Sequence, residues 1–140
     1  MEGCGQMRSF PLKIVTPDGL CFDGSAEELI VRTTTGDMGI LAGHISCVAP
    51  LGMGMATVIV EGKRRYAACI GGMVSVVNGA VTLVPTTFEW AENIDTERAE
   101  VSERKAKNVL AQKDSTDTEL RLADARLKRA LVRKSVAQMK

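Results

Sequence analysis

The chain has 140 residues and a formal net charge of +1, with 18 Lys and Arg against 17 Asp and Glu, so the whole molecule is not a polyanion binder. Its cysteines form no C-x-x-C pair and it has a single histidine, which disfavours a zinc site and fits a reducing compartment. No apolar run reaches the length of a membrane span, and no signal peptide is evident. We expect a soluble, cytosolic chain with one ordinary domain and an appendage.

The first part of the chain is predicted to be β-structure. Residues 1–9 indicate a disordered lead-in, after which Phe10, Leu12 and Ile14 alternate with other residues as in a half-buried strand. Further strand-like runs separated by turns continue to residue 90. We therefore predict an antiparallel β-sandwich, or flattened barrel, over residues 10–90.

Two segments within this region are predicted to be turns. Asn78 and Gly79 separate two β-branched runs, and both residues tolerate the positive φ angles of a type I′ hairpin turn. Residues 36–39 contain two glycines after a strand-like run and are predicted to form a turn or bulge.

Residues 91–140 are predicted to form an antiparallel two-helix hairpin. Between residues 94 and 139 there is no Gly or Pro, and apolar residues recur every three or four positions. Asp95 is expected to cap the first helix by accepting hydrogen bonds from backbone N–H groups of its first turn. Residues 114–117 break the pattern, and so short a break favours antiparallel neighbours.

The apolar stripes of both helices are narrow and rich in alanine. Burial of alanine releases much less free energy than burial of leucine, at about 25 cal/mol per Å² of apolar surface. We therefore expect the helix–helix and helix–sheet contacts to be weak enough to exchange for others. A helical hairpin that adopts two packing arrangements requires such contacts. A rigid hairpin docked permanently on the sandwich is the alternative that the pattern leaves open.

The last sixteen residues, 125–140, are basic and contain no acidic residue. Such a segment is attracted to an acidic surface or to phosphate. Alternatively, its charges form a solvated helix face that suits a helix C-terminus. The scarcity of aromatic residues disfavours a surface for base stacking, and the helices lack the large apolar residues of membrane-surface helices.

Several short segments, in their order and spacing, resemble the epsilon subunit of bacterial F-type ATP synthases. The resemblance runs from about Phe10 to the C-terminus, and the residues that carry it are 15–19 (VTPDG), 39–44 (GILAGH), 50–51 (PL), 71–72 (GG) and 135–140 (SVAQMK). Ala42 and Ser46 depart from prolines that are common in the family, and the first seven residues are additional.

The resemblance implies a non-catalytic, peripheral subunit at the cytoplasmic face of the bacterial plasma membrane. In the family, the sandwich contacts the gamma subunit and the c ring and turns with the rotor, which couples proton or sodium flow to ATP synthesis. The hairpin lies folded on the sandwich, or extends along gamma into the head of alpha and beta subunits and obstructs ATP hydrolysis. The membrane is then reached only through the complex, and neither nucleic acid nor a metal is expected.

The resemblance also implies interface residues. Asp37 matches a position that approaches the c ring, and His44 falls in a loop near the rotor interface, where a loop-ordering hydrogen bond is the alternative role. The second helix carries the residues that would meet an acidic stretch of a beta subunit: Arg126, Lys128, Arg129, Arg133 and Lys134.

Some members of the family bind ATP on the folded hairpin. Their motif is matched here by Ile94, Asp95, Arg98 and Ala99, and further family contacts are matched by Glu89, Arg129 and Arg133. Arg129 and Arg133 share a helix face, so an antiparallel hairpin is expected to bring three guanidiniums to one small volume suited to phosphate. ATP would act as a regulatory ligand that this chain does not hydrolyse, because no P-loop is present. Helix capping and surface charge, without tight ATP binding, are the alternative reading of these residues.

Two other functions compete with this reading. One is a helical-arm binding module for another acidic partner, nucleic acid or protein, with no role in ATP sensing. The other is a stand-alone enzyme, which the sequence supports poorly because it contains one histidine and no nucleophile-elbow motif.

Overall fold

The computed structural model describes residues 8–139, so the predicted lead-in lies outside the described residues except for Arg8 and Ser9, which are exposed and belong to no strand or helix. Ten strands come first: β1 (Phe10–Thr16), β2 (Gly19–Ala26), β3 (Glu28–Thr33), β4 (Gly36–Leu41), β5 (Cys47–Pro50), β6 (Met53–Val60), β7 (Lys63–Ile70), β8 (Met73–Val77), β9 (Ala80–Val84) and β10 (Thr87–Trp90). A single 3-10 turn (Ala91–Asn93) then leads into α1 (Thr96–Ala111) and α2 (Asp117–Ala137). The predicted sandwich followed by two helices is confirmed.

The strands form two five-stranded sheets, in the orders β2-β1-β9-β8-β5 and β10-β7-β6-β3-β4. Neighbouring strands are antiparallel except for β1 and β9, where Leu12 lies beside Val81 in a parallel pair. A parallel pair needs a long connection between its strands, and here almost the whole sandwich separates β1 from β9. This one pair departs from the predicted antiparallel arrangement.

Side chains that alternate along the strands fill the space between the sheets. Leu12 and Ile14 of β1 are at most 1% exposed, whereas Lys13 between them faces solvent. Both sheets contribute to one hydrophobic core, whose fully buried large side chains include Leu12, Ile14, Leu29, Val31, Ile40, Val58, Val74, Val76 and Leu83. The period-two pattern therefore accounts directly for this core.

One predicted turn is confirmed and the other is wrong. Asn78 and Gly79 have φ angles of 50° and 84°, as a type I′ turn requires. Residues 36–39, by contrast, are the first part of β4, and Asp37 pairs across the sheet with Arg32 of β3. The chain reverses just before β4 and needs a positive φ only at Gly36 (133°), so the next residues remain extended.

Both helix starts are fixed by side-chain caps. The Asp95 carboxylate accepts a hydrogen bond from the backbone N–H of Arg98 at 3.1 Å, as predicted. At the start of α2, Thr116 and Glu119 form a capping box in which each side chain accepts from the backbone N–H of the other residue. The turn between the helices is short, and the two helices pack as an antiparallel pair.

The hairpin is packed through small side chains. The buried helix residues are Ala99, Glu103, Ala106, Ala123, Ala130, Val136 and Ala137. The end of α2 docks on the sandwich in a separate small cluster with Ala68, Ala91 and Ile94. These contacts bury little apolar area per residue compared with the core between the sheets.

Candidate functional site

A cavity of about 430 Å³ lies where the sandwich meets the two helices. Its lining residues come from β10, the end of the 3-10 turn and the two residues after it, the first half of α1 and the end of α2, together with Asp18 of the first hairpin turn. Of the residues predicted to bind a nucleotide, those that line it are Glu89, Ile94, Asp95, Arg98, Ala99 and Arg133. The fold thus brings together positions that are up to 44 residues apart in the chain.

The cavity has charges of both signs. Arg133 of α2 donates from Nε to Oε1 of Glu89 on β10 at 2.7 Å, and this ion pair ties α2 to the sandwich. Arg98 makes no ion pair with any residue between 8 and 139, so its guanidinium has donors available for a ligand. Asp95 both caps α1 and lines the cavity.

A second cavity of about 350 Å³ lies between the helices. It is lined by Ser102, Lys105, Ala106, Val109, Ala123, Arg126, Arg129 and Arg133. The two cavities adjoin, because Ser102 and Arg133 line both of them. Arg129 lines only the second cavity. The three guanidiniums predicted to converge on one volume are therefore divided between two adjoining cavities, and Arg133 lines both.

The sequence reasoning missed five polar residues of these cavities: Asp18, Thr87, Asn93, Ser102 and Lys105. Ser102 and Lys105 lie four and seven residues after Arg98, and these spacings place all three side chains on one face of α1. The helical spacing from Arg98 could therefore have identified them. Thr87 and Asn93, which also line the first cavity, have no comparable sequence signal.

The junction between sandwich and hairpin is held by Arg65 of β7. Its guanidinium lies 3.7 Å from the centre of the Trp90 ring and donates from Nη2 to Glu92 Oε1 at 2.7 Å. This hydrogen bond from Arg65 is the main reason why the pKa of Glu92 is below its usual range. The last strand and the 3-10 turn are thereby fixed beside the first cavity.

The basic residues of α2 do not form one free patch. Lys128 pairs with Asp124 within the helix at 3.0 Å, Arg133 pairs with Glu89, and the Lys134 ammonium donates to Glu103 Oε1 at 2.7 Å. Arg126 and Arg129 line the second cavity. Three of the five predicted contact residues therefore form ion pairs within the molecule, and of these Lys128 is exposed whereas Arg133 and Lys134 are about one-third exposed or less.

Asp37 and His44 line neither cavity. Asp37 is exposed at the start of β4, where its Oδ1 accepts from Arg32 Nε at 2.9 Å. His44 donates from Nδ1 to the carbonyl oxygen of Ile45 at 2.8 Å, so the loop-ordering hydrogen bond is present. Ile45 itself is 78% exposed beside this hydrogen bond.

Among residues 8–139, no group of three or more His, Cys, Asp or Glu side chains is placed to hold a metal ion. Neither helix of this part of the chain is both long and apolar enough to cross a membrane.

Comparison with known protein families identifies the family to which this chain belongs. The model of the ATP synthase delta/epsilon chain β-sandwich domain matches residues 9–91, and that of the delta/epsilon chain long α-helix domain matches residues 92–138. The chain belongs to the ATP synthase delta/epsilon family. Epsilon chains are non-catalytic subunits, and the resemblance to the bacterial epsilon subunit is confirmed.

Similar curated proteins cover the chain almost completely. The ATP synthase epsilon chain of Bacillus velezensis is 41% identical over 131 residues, which are 94% of this chain and 98% of that protein. The epsilon chain of Ruminococcus albus is 39% identical over 135 residues, covering 96% and 100% of the two chains.

A solved structure shares the fold at low sequence identity. A chain in the cryo-EM structure of the Euglena gracilis mitochondrial ATP synthase OSCP/F1/c-ring assembly superimposes with a TM-score of 0.80. It is 23% identical to this chain, and the match covers 100% of this chain and 88% of that one.

Proposed function

We propose that this epsilon subunit works in the central stalk as a rotor subunit whose C-terminal hairpin inhibits ATP hydrolysis when it leaves the sandwich. In this proposal the subunit contacts gamma, the c ring and, through the extended hairpin, the alpha and beta subunits. It helps to couple ion flow to ATP synthesis from a peripheral position at the cytoplasmic face of the membrane. ATP binds the folded hairpin, favours the non-inhibitory state and is not hydrolysed by this chain.

The observation that carries the ATP-sensing part is the composition of the first cavity. Glu89 comes from the sandwich, Arg98 from α1 and Arg133 from α2, so a single ligand there would contact all three parts of the molecule. Guanidinium groups donate paired hydrogen bonds to phosphate oxygens, and Arg98, which forms no ion pair within residues 8–139, is available for this role. Separation of the hairpin from the sandwich would dismantle the cavity, so the ligand would bind only the folded state.

Such a ligand shifts the conformational equilibrium by its differential affinity for the two states. At a hundredfold excess over its Kd, it favours the folded hairpin by about 2.7 kcal/mol. High ATP would keep the hairpin folded, whereas low ATP would release it and block wasteful hydrolysis.

The test of ATP sensing is a calorimetric titration of the full chain with ATP, and with ADP for comparison. We expect saturable binding that favours ATP. Arg98→Ala and Arg133→Ala should each weaken it about 10-fold or more, since a hydrogen bond to a charged group contributes about 1.5–3 kcal/mol. Arg129→Ala tests whether the phosphates reach the second cavity.

Lys128→Ala is the matched control, because it removes a positive charge from the same helix but lies outside both cavities. Its ATP affinity should stay within about twofold of the parent value. An Arg133→Ala chain that binds ATP as tightly as the Lys128→Ala chain would refute the phosphate site at Arg133.

The test of inhibition is ATP hydrolysis by the complete complex, assembled with the full chain or with a chain that ends at residue 91. Removal of the hairpin should raise hydrolysis at low ATP and have little effect at high ATP. Equal rates at low ATP would refute the inhibitory role and leave the place of the sandwich in the complex untouched.

The rotor interface is proposed to include Asp37, at the start of β4, and His44, in the loop that follows β4. Asp37→Ala should weaken assembly of the subunit with the c ring, measured by co-purification. Since this change also frees Arg32, the Arg32→Ala chain is the control: it removes the same ion pair and keeps the carboxylate. Equal retention of both variants would refute a direct role for Asp37.

A further inference from the structure

Glu103, in the middle of α1, is the one charged residue that is buried among residues 8–139. Its side chain is only 12% exposed, and each carboxylate oxygen has its own ammonium partner. Oε1 accepts from Lys134 Nζ of α2 at 2.7 Å, and Oε2 accepts from Lys107 Nζ of α1 at 2.7 Å. One carboxylate thus joins the two helices.

The two lysines differ in what happens when the helices separate. Lys107 lies four residues after Glu103 in the same helix, so that pair survives separation of the helices. The bond to Lys134 is the only one of the two that crosses from α1 to α2. Because Lys107 remains in place, opening never leaves the carboxylate without a partner, and the crossing bond can break and re-form reversibly.

The pKa values agree with this geometry. The pKa of Glu103 is lowered to about 2, first by the hydrogen bond from Lys107 and then by that from Lys134. The pKa of Lys134 is raised, mainly by its hydrogen bond to Glu103. Both groups therefore remain charged across the physiological pH range.

This contact is separate from the cavities. Glu103 lines neither of them, whereas its neighbour Ser102 lines both. On α2, Lys134 follows directly after Arg133, which Glu89 holds against the sandwich. Two consecutive basic residues near the end of α2 are therefore held by carboxylates from two different elements.

We propose that Glu103 is a ligand-independent latch: with Lys107 as its permanent partner, it captures Lys134, closes the hairpin and limits its opening when the cavity is empty. The latch rests on the mobile hairpin of the proposed function. While it is closed, Lys134 is withheld from any external acidic partner. The latch and a bound nucleotide oppose separation of the same two helices, but through different atoms.

The test is hydrogen exchange of the backbone amides in the full chain without ATP, followed by mass spectrometry. Glu103→Gln and Lys134→Gln keep similar side-chain sizes and remove one charge each. Each should speed exchange in α1 and α2 about tenfold, from the loss of a charge-assisted hydrogen bond, and leave the sandwich unchanged. The double variant should be no faster than Glu103→Gln alone, since that single change already removes the pair with Lys134 as well as the pair with Lys107.

Asp124→Asn is the matched control, because it removes a carboxylate that pairs with Lys128 four residues later in the same helix and that, within residues 8–139, forms no ion pair with another element. Its exchange should change by less than about twofold. If Glu103→Gln behaves like Asp124→Asn, or if the effects of the single variants multiply in the double variant, the latch is wrong.

The result also separates failure of the latch from failure of the proposed function. Hairpin amides that exchange no faster than sandwich amides in the parent chain would refute the mobile hairpin and the latch together. Faster hairpin exchange that Glu103→Gln does not alter would refute the latch alone. Failure of the parent chain to bind ATP would refute nucleotide sensing and leave the exchange test of the latch intact.

Discussion

The sandwich and the hairpin are stabilised in different ways. Between the sheets, large branched side chains such as Leu29, Ile14 and Leu83 are completely buried, and the two sheets cannot separate without exposing them. In the hairpin the buried side chains are mostly alanines, and the specific links are ion pairs at Glu89 and Glu103. Apolar burial gives a body that opens only on global unfolding, whereas small side chains joined by ion pairs give an element that can separate by itself.

The largest effect is expected from a substitution that creates a cavity in the core of the sandwich. Leu29→Ala removes a side chain that is 0% exposed and should destabilise the fold by about 3 kcal/mol. Thiol labelling of Cys69 measures this opening, because burial raises the pKa of that thiol to about 12 and protects it in the folded sandwich.

Leu20→Ala is the control for this prediction, since Leu20 is 61% exposed and its loss should change the free energy of unfolding by less than about 0.5 kcal/mol. If both variants label Cys69 at the same rate, the sandwich is not held by its apolar core in the way described.

A second prediction concerns overpacking of the hairpin. Ala130 is 0% exposed in α2, so Ala130→Leu forces its surroundings apart and should destabilise the folded hairpin by about 1–3 kcal/mol. Hydrogen exchange should become faster in both helices and remain unchanged in the sandwich. Ala111→Leu places the same side chain on an exposed position of α1 and should have little effect. Equal destabilisation of the sandwich by Ala130→Leu would show that the two parts unfold as one unit.

The smallest expected effect is the response of the hairpin to pH. The folded pKa of Glu103, about 2, lies below its ordinary value of 4.5, so its stabilisation is complete above pH 4.5 and is lost as the pH falls toward 2. Lys134 has a raised pKa, so its contribution is complete below its ordinary pKa of 10.5 and is lost only above that value. Helix exchange corrected for intrinsic rates should therefore be constant near neutral pH and increase in acid. In the Glu103→Gln chain, the rise in helix exchange at acid pH should be smaller than in the parent chain. An equal rise in both chains would show that other carboxylates cause it.

Local sequence signals predicted much of the fold. The alternation in β1, the Asn78 and Gly79 turn and the Asp95 cap each depend on neighbouring residues, and all three are found. The segment at residues 36–39 was misread because two glycines suggest a turn, whereas only Gly36 adopts a positive φ. The lining of the first cavity was predicted in part, because family matches and helix spacing identify residues without fixing how closely two helices approach.

The sequence by itself determined the types and order of the elements, the division between an apolar body and an alanine-rich pair of helices, and the family. These follow from periodicity, turn chemistry and capping, which act over a few residues. Only the tertiary structure decided that Arg129 lines a different cavity from Arg98, that β1 pairs in parallel with β9, and that Glu103 is buried between two lysines. Each of these depends on the distance and rotation between elements far apart in the chain, and these are set by the packing of the whole molecule.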